Sequence, residues 1–120
     1  MVHELKYDEE TGIIVLTFNS HFLLTDVEPI ISTIKTLLVG KPYRQGLVIM
    51  KEEYKVENRE TREALSEGLS KLDVTEVAFV GLGAATRMVA KVLLKTGLVK
   101  LKGEFFKNTE EAIKWLKSKR

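Results

Sequence analysis

Short apolar runs alternate along the chain with longer stretches in which apolar residues recur at helical spacing. The first two runs predict a hairpin, with an alternating strand at 4–7, a turn at 8–12 and a strand at 13–18 that is apolar on both faces. Further strands are predicted at 47–50, at 77–80 and around 101–105. Because a one-sided pattern is typical of an edge strand and a two-sided pattern of an interior strand, the first strand should lie at the edge of the sheet.

Four helices are predicted between and after these strands. The first starts at the capping-box sequence Thr25-Asp26-Val27-Glu28, the second follows Asn58, the third follows the Gly81-Leu82-Gly83 turn and the last follows Asn108. Each has apolar residues on one face, which for the first three are Val27, Ile30, Ile31, Ile34, Leu37 and Leu38, then Ala64, Leu65, Gly68, Leu69 and Leu72, then Met88, Val89, Val92 and Leu93. In the last helix Ala112, Trp115 and Leu116 share a face, and we expect Trp115 to be buried.

This alternation of helices and short strands predicts an α/β fold with right-handed parallel crossovers. A chain of 120 residues is long enough for a single core, so we expect one domain spanning residues 1–120.

The composition excludes several classes of site. The chain has no cysteine and two histidines, His3 and His21, so thiolate catalysis, disulfides and a His- or Cys-based metal site are not expected. No stretch is long and apolar enough to span a bilayer, and the N-terminus does not resemble a signal peptide. We therefore expect a cytoplasmic protein without a cofactor, and no nucleic-acid binding, because exposed aromatics are not interleaved with basic residues.

The net charge of +2 conceals a strong polarity along the chain. Residues 1–80 contain 9 Lys or Arg and 14 Asp or Glu, a net charge of −5, whereas residues 81–120 contain 10 and 3, a net charge of +7. The basic third could face an anionic lipid, an acidic partner or the acidic part of another subunit, or it could simply be solvated.

The turn after the fourth strand is the candidate ligand site. Gly81 and Gly83 could let backbone amides approach an anion at a helix N-terminus, and Arg87, Lys91 and Lys95 recur at i, i+4 and i+8 on one face. The alternative is that the glycines only permit close packing and that the basic stripe is solvated. A dinucleotide fingerprint is poorly matched, because Thr86 stands where its third small residue should be.

A second candidate lies in the loop after the third strand. Glu52 and Glu53 are adjacent carboxylates at the end of a strand, where catalytic acids often occur, so a small enzyme is the alternative to a binding protein. Side chains of sequence neighbours diverge, however, and a solvated loop explains the same pattern. His21 could act as a base or a ligand, but the sequence offers it no evident partner.

The order of elements, and two stretches in particular, resembles the SpoIIAA-like branch of the STAS domains, which is related to CRAL-TRIO lipid-exchange domains. These stretches are Val77-Ala78-Phe79-Val80-Gly81 before the basic helix and the closing segment 104–116, with its Phe-Phe-x-x-x-Glu-Glu-Ala-x-x-Trp-Leu pattern. The resemblance implies a two-layer β-α superhelix with a five-stranded mixed sheet, the first strand antiparallel and the others parallel in sequence order.

The resemblance also bears on function. In anti-sigma-factor antagonists of this family the loop after the third strand carries a phosphorylated serine, whereas here residues 51–58 contain neither Ser nor Thr and Tyr54 is the only hydroxyl. A phosphorylation switch is therefore not predicted. The resemblance favours a non-enzymatic binding or regulatory module for a protein partner or an anionic small molecule or lipid, and the two-sided strands predict a homodimer that covers a bare sheet face.

Overall fold

The computed structural model describes residues 2–51, 54, 56–81, 83 and 102–120. These residues form five strands and three helices. The strands are β1 (Glu4–Asp8), β2 (Ile13–Thr17), β3 (Gln45–Ile49), β4 (Glu76–Val80) and β5 (Lys102–Phe106), and the helices are α1 (Leu24–Leu37), α2 (Arg59–Lys71) and α3 (Thr109–Ser118). The predicted helix after Gly83 lies outside the described residues, so the described ranges contain three helices and the expected total of four is not matched.

The five strands form one mixed sheet in the order β1-β2-β3-β4-β5. β1 pairs antiparallel with β2, and every later pair is parallel. β1 alternates exposed and half-buried residues, whereas β2 is mostly buried on both faces. The predicted hairpin, the edge position of the first strand and the mixed sheet are thus confirmed.

Helices pack on both faces of the sheet, which corrects the expected two-layer arrangement. On one face, α1 and α2 cover a core that includes Ile14, Leu16, Phe18, Phe22, Ile30, Ile34, Val48, Leu69 and Val77. On the other face, α3 packs Ala112 and Leu116 on Ile13, Leu47, Ala78 and Val80. Right-handed crossovers hold α1 and α2 on the same side because each returns to a neighbouring parallel strand. The last helix returns to no further strand and can therefore cover the opposite face.

The start of α1 differs from the predicted capping box. The helix begins at Leu24, and the carboxylate of Asp26, not that of Glu28, accepts a hydrogen bond from the amide of the residue before the helix, Leu23, at 2.9 Å. Thr25 therefore lies inside the first turn. The other two predicted caps are confirmed, because Asn58 Oδ1 accepts from the Thr61 amide and Asn108 Oδ1 accepts from the Glu111 amide, each at 2.9 Å.

Trp115 is half-buried, so the prediction that it is buried is met only in part. Its ring packs 5.6 Å from that of Phe106 in β5, and the Lys119 amine lies 5.6 Å from the ring centre. Trp115 sits over the edge strand of the sheet, where only one side of the indole can be covered. In α2 the buried set also includes two hydroxyl residues, Thr61 and Ser66, which an apolar-face pattern does not identify.

Candidate functional site

The loops that follow β2 and β3 meet at the carboxyl edge of the parallel strands, where ligands bind in open α/β sheets. Phe22 and Val56 form an isolated parallel bridge, and the Glu57 amide donates to the Phe22 carbonyl at 2.8 Å. The two loops are therefore joined by backbone hydrogen bonding and form a single surface beside the turn that follows β4.

Gly81 occupies that turn in a conformation that requires glycine. Its φ is +103°, and a Cβ added to it would lie 1.8 Å from the Met50 carbonyl oxygen. The Met50 amide in turn donates to the Val80 carbonyl at 2.8 Å, which holds the end of β3 against the turn. Gly81 thus permits close packing, which was one of the two interpretations of this glycine, and its contact is with the end of the neighbouring strand. Gly83 is half-buried.

The remaining predicted site residues lie outside the part of the chain that the structure describes. Arg87, Lys91 and Lys95 of the basic stripe lie outside the described residues, and so do Glu52 and Glu53 of the alternative enzymatic site. Of the five candidate ligand-binding residues, the structure brings Gly81 and Gly83 to the carboxyl edge and leaves the three basic side chains as a prediction from spacing.

The chain's own side chains satisfy amides at the starts of all three described helices. At α1, Asp26 accepts from Leu23 and Glu57 Oε1 accepts from the Leu24 amide at 2.9 Å. The side chains of Asn58 and Asn108 accept from amides in the first turns of α2 and α3. Amides that already have such acceptors are poor anion sites, so the three described helix starts are not favourable places for an anion.

His3, which the sequence suggested only as a possible metal ligand, is a core residue. The ring is completely buried, Nε2 lies 3.1 Å from Asp26 Oδ2, and Nδ1 accepts from the Asn19 amide at 3.4 Å. Its centroid is 5.4 Å from that of Phe18 and 5.1 Å from that of Phe22. A period of two along His3, Leu5 and Tyr7 is the signal that could have placed it on the inward face.

The loop after β3 also contains Tyr54, the only hydroxyl considered for a phosphorylation switch. Its ring meets that of His21 edge-on at 6.0 Å, and the Lys51 amine lies 5.9 Å from its centre. Tyr54 is half-buried and packs against the core under α1 and α2. His21, proposed from the sequence as a possible base, therefore contributes a packing contact to this loop.

The described ranges contain neither a metal-binding cluster nor a membrane-spanning helix. No group of three or more His, Asp or Glu is positioned there to hold a metal ion, and no helix in those ranges is long and apolar enough to cross a membrane.

The architecture defines the chain as a protein with a SpoIIAA-like α/β fold. It is similar to the crystal structure of an uncharacterized protein of the DUF3478 family with a SpoIIAA-like fold, from Shewanella loihica PV-4. The TM-score is 0.63 at 15% sequence identity, and the match covers 95% of this chain and 91% of that one. By sequence, residues 7–120 match the model of a domain of unknown function, DUF7793, and the chain belongs to that family. A comparison with curated proteins found no match.

Proposed function

We propose that this protein is a non-enzymatic binding module that takes an anionic, phosphate-bearing ligand at the turn after β4. The ligand is either a free phosphate compound or a lipid head group. The observation that carries the proposal is the position of the turn: it lies at the carboxyl edge of the sheet, where the Gly81–Met50 packing fixes it, and the predicted basic stripe follows it directly in sequence.

Charge supports the choice of an anion. Residues 81–120 have a net charge of +7, and the predicted stripe of Arg87, Lys91 and Lys95 follows directly after the turn. A phosphate at the start of that predicted helix would interact with the positive end of the helix dipole, and Arg87 could form a bidentate contact with it. Because these charges are expected to be exposed, binding should weaken as salt shortens the Debye length to about 8 Å at roughly 0.15 M.

Co-sedimentation with vesicles and titration with inorganic phosphate test this function. The parent should bind phosphatidylglycerol vesicles more than phosphatidylcholine vesicles if the ligand is a head group, and should respond to phosphate in a thermal-shift assay if it is a free phosphate. Either response should be lost in Arg87→Glu/Lys91→Glu/Lys95→Glu.

A matched control is the triple variant Lys107→Glu/Lys114→Glu/Lys117→Glu. These lysines are exposed and belong to the same basic third, so the variant changes the net charge equally at another place. It should keep most of the binding. Equal behaviour of the parent and the stripe variant at low salt would refute the proposed function.

A further inference from the structure

The last turn of α3 is joined by polar contacts to the amino edge of the sheet, the edge at which the parallel strands begin. Gln45, the first residue of β3, is buried, and its amide nitrogen donates to the Leu116 carbonyl of α3 at 2.7 Å and to Glu76 Oε1 of β4 at 2.8 Å. Its amide oxygen accepts from Arg120 Nε at 3.1 Å. Both hydrogens and the oxygen of this buried amide are therefore satisfied, and a fully satisfied network favours one arrangement of the groups that it joins.

Arg120 extends this network to the β1–β2 turn. Its guanidinium group also donates to the Thr11 carbonyl, and its central carbon lies 3.7 Å from the centre of the Tyr43 ring. A guanidinium group can stack on an aromatic ring and form hydrogen bonds at its edge at the same time. Gly12 leaves room for this arrangement, because a Cβ there would lie 3.1 Å from Cδ2 of Tyr43 and 3.3 Å from Nη2 of Arg120. We call the Gln45, Arg120 and Tyr43 side chains, with the Thr11 carbonyl, the α3 clasp.

α3 depends on its contacts with the sheet to remain helical. It has 10 residues, of which Ala112 and Leu116 are buried. Isolated helices shorter than about 12–15 residues are marginal in water, so α3 is not expected to persist once it leaves the sheet. On the side toward β1 its packing is incomplete, since Thr109 and Ile113 line an open cleft. The five strands of the sheet all precede α3, so the helix can separate without breaking a strand pair.

We propose that α3 is a lid that opens from the sheet as a unit while the sheet and the other two described helices stay folded, and that the α3 clasp sets how often it opens. Opening uncovers an apolar face that includes Ile13, Leu47 and Ala78. Elements held by few buried apolar contacts commonly open in this way without global unfolding. The α3 clasp lies at the amino edge and uses none of the residues of the turn after β4, so this proposal stands or falls separately from the proposed anion site.

Amide hydrogen exchange of the full chain, resolved by residue with NMR, tests both parts of the proposal. In the parent protein the amides of residues 113–118 should be protected at least about tenfold less than those of β3 and α2. Arg120→Ala removes the guanidinium contacts and should raise exchange in α3 about tenfold, because two hydrogen bonds from a charged group are lost. Tyr43→Leu removes the ring on which the guanidinium group stacks and should raise it severalfold. Exchange in β3 and α2 should stay the same in both variants.

Lys117→Ala is the matched control, because it removes an exposed cation one turn before Arg120 in the same part of α3, and it should leave exchange unchanged. Tyr43 lies outside α3, so the effect of Tyr43→Leu cannot come from the helix propensity of α3. In Arg120→Ala/Tyr43→Leu the rise should be smaller than the product of the two single rises, since both changes remove one shared contact. Circular dichroism checks that each variant is folded, and Tyr43→Leu, which replaces a partly exposed ring, decides the result if Arg120→Ala is not.

Four results would overturn the proposal. The first is equal protection of α3 and β3 in the parent, which would show that the helix separates only when the whole protein unfolds. The second is unchanged exchange of α3 in both Arg120→Ala and Tyr43→Leu. The third is an equal rise in α2, β3 and α3, which would mean that these residues stabilise the protein as a whole. The fourth is a rise of the same size in Lys117→Ala, which would attribute the effect to the lost charge.

Discussion

At the scale of single residues, Gly81 shows how one position fixes the geometry of the carboxyl edge. Substitution by alanine would add a Cβ that overlaps the Met50 carbonyl and would impose a φ of +103° on a residue with a side chain. We expect Gly81→Ala to lower the free energy of unfolding by at least about 2 kcal/mol, measured by urea denaturation.

Gly40→Ala is the matched control for that prediction. Gly40 also has a positive φ, +72°, but nothing lies within 4 Å of an added Cβ. This variant should therefore show only the backbone cost of about 1–2 kcal/mol. Equal losses in the two variants would show that the contact with Met50 is unimportant.

Gly81 and His3 show which features of the carboxyl edge could not be predicted from the sequence. A turn at Gly81-Leu82-Gly83 was predicted, but the contact that requires glycine at position 81 was not, because Met50 is distant in sequence and leaves no local signal. His3 is a similar case. Its hydrogen bond to Asp26 spans 23 positions and leaves no local signal, although the period of two with Leu5 and Tyr7 indicates an inward-facing ring.

At the scale of elements, the two asparagine caps differ in what they support. Asn58 Oδ1 accepts from both the amide and the hydroxyl of Thr61, which is completely buried, whereas Asn108 Oδ1 accepts from the exposed Glu111 amide. We expect Asn108→Ala to cost about 1 kcal/mol, the usual value of a lost cap, and Asn58→Ala about 2 kcal/mol, because it also removes the partner of a buried hydroxyl. Thermal unfolding measures both, and a larger loss in Asn108→Ala would contradict this argument.

Helix periodicity and cap residues predicted α2 and α3 closely, because Asn is a local signal for a helix start. The start of α1 was misplaced for a physical reason. The N-cap is Leu23, which has no side-chain acceptor and so gives no local signal for a helix start. Asp26 accepts from the Leu23 amide, and Glu57, which is 33 positions away, accepts from that of Leu24. The local Thr25–Glu28 pattern could not reveal the second of these contacts. The position of the basic stripe on one helix face is predicted from the spacing of Arg87, Lys91 and Lys95 alone.

At the scale of the whole molecule, the sheet and its strand order followed from the alternation of elements and from the family resemblance, but the distribution of helices did not. The prediction of a homodimer assumed a bare second face, and α3 covers part of that face. Beside β1, this face has a cleft of about 240 Å³, whose lining includes Lys6, Val15, Ile49 and Ile113.

The homodimer stays a prediction, and we expect the two copies to contact each other at this cleft. Light scattering at micromolar concentration should give twice the chain mass of 13.6 kDa. Val15→Glu should shift the protein to the monomer, because it buries a charge in the contact, whereas Val39→Glu at an exposed position should not. A monomeric parent protein would show that the cleft is left open to solvent.

The order of the strands has a consequence for biosynthesis. Each strand pairs with the one made just before it, so the sheet can extend while the chain is still leaving the ribosome. The face formed by Ile13, Leu47 and Ala78 packs on Ala112 and Leu116, which are made after all five strands. At typical elongation rates α3 is completed roughly two to eight seconds after β4. A nascent chain that stalls before α3 therefore presents an apolar sheet face to chaperones and to other nascent chains.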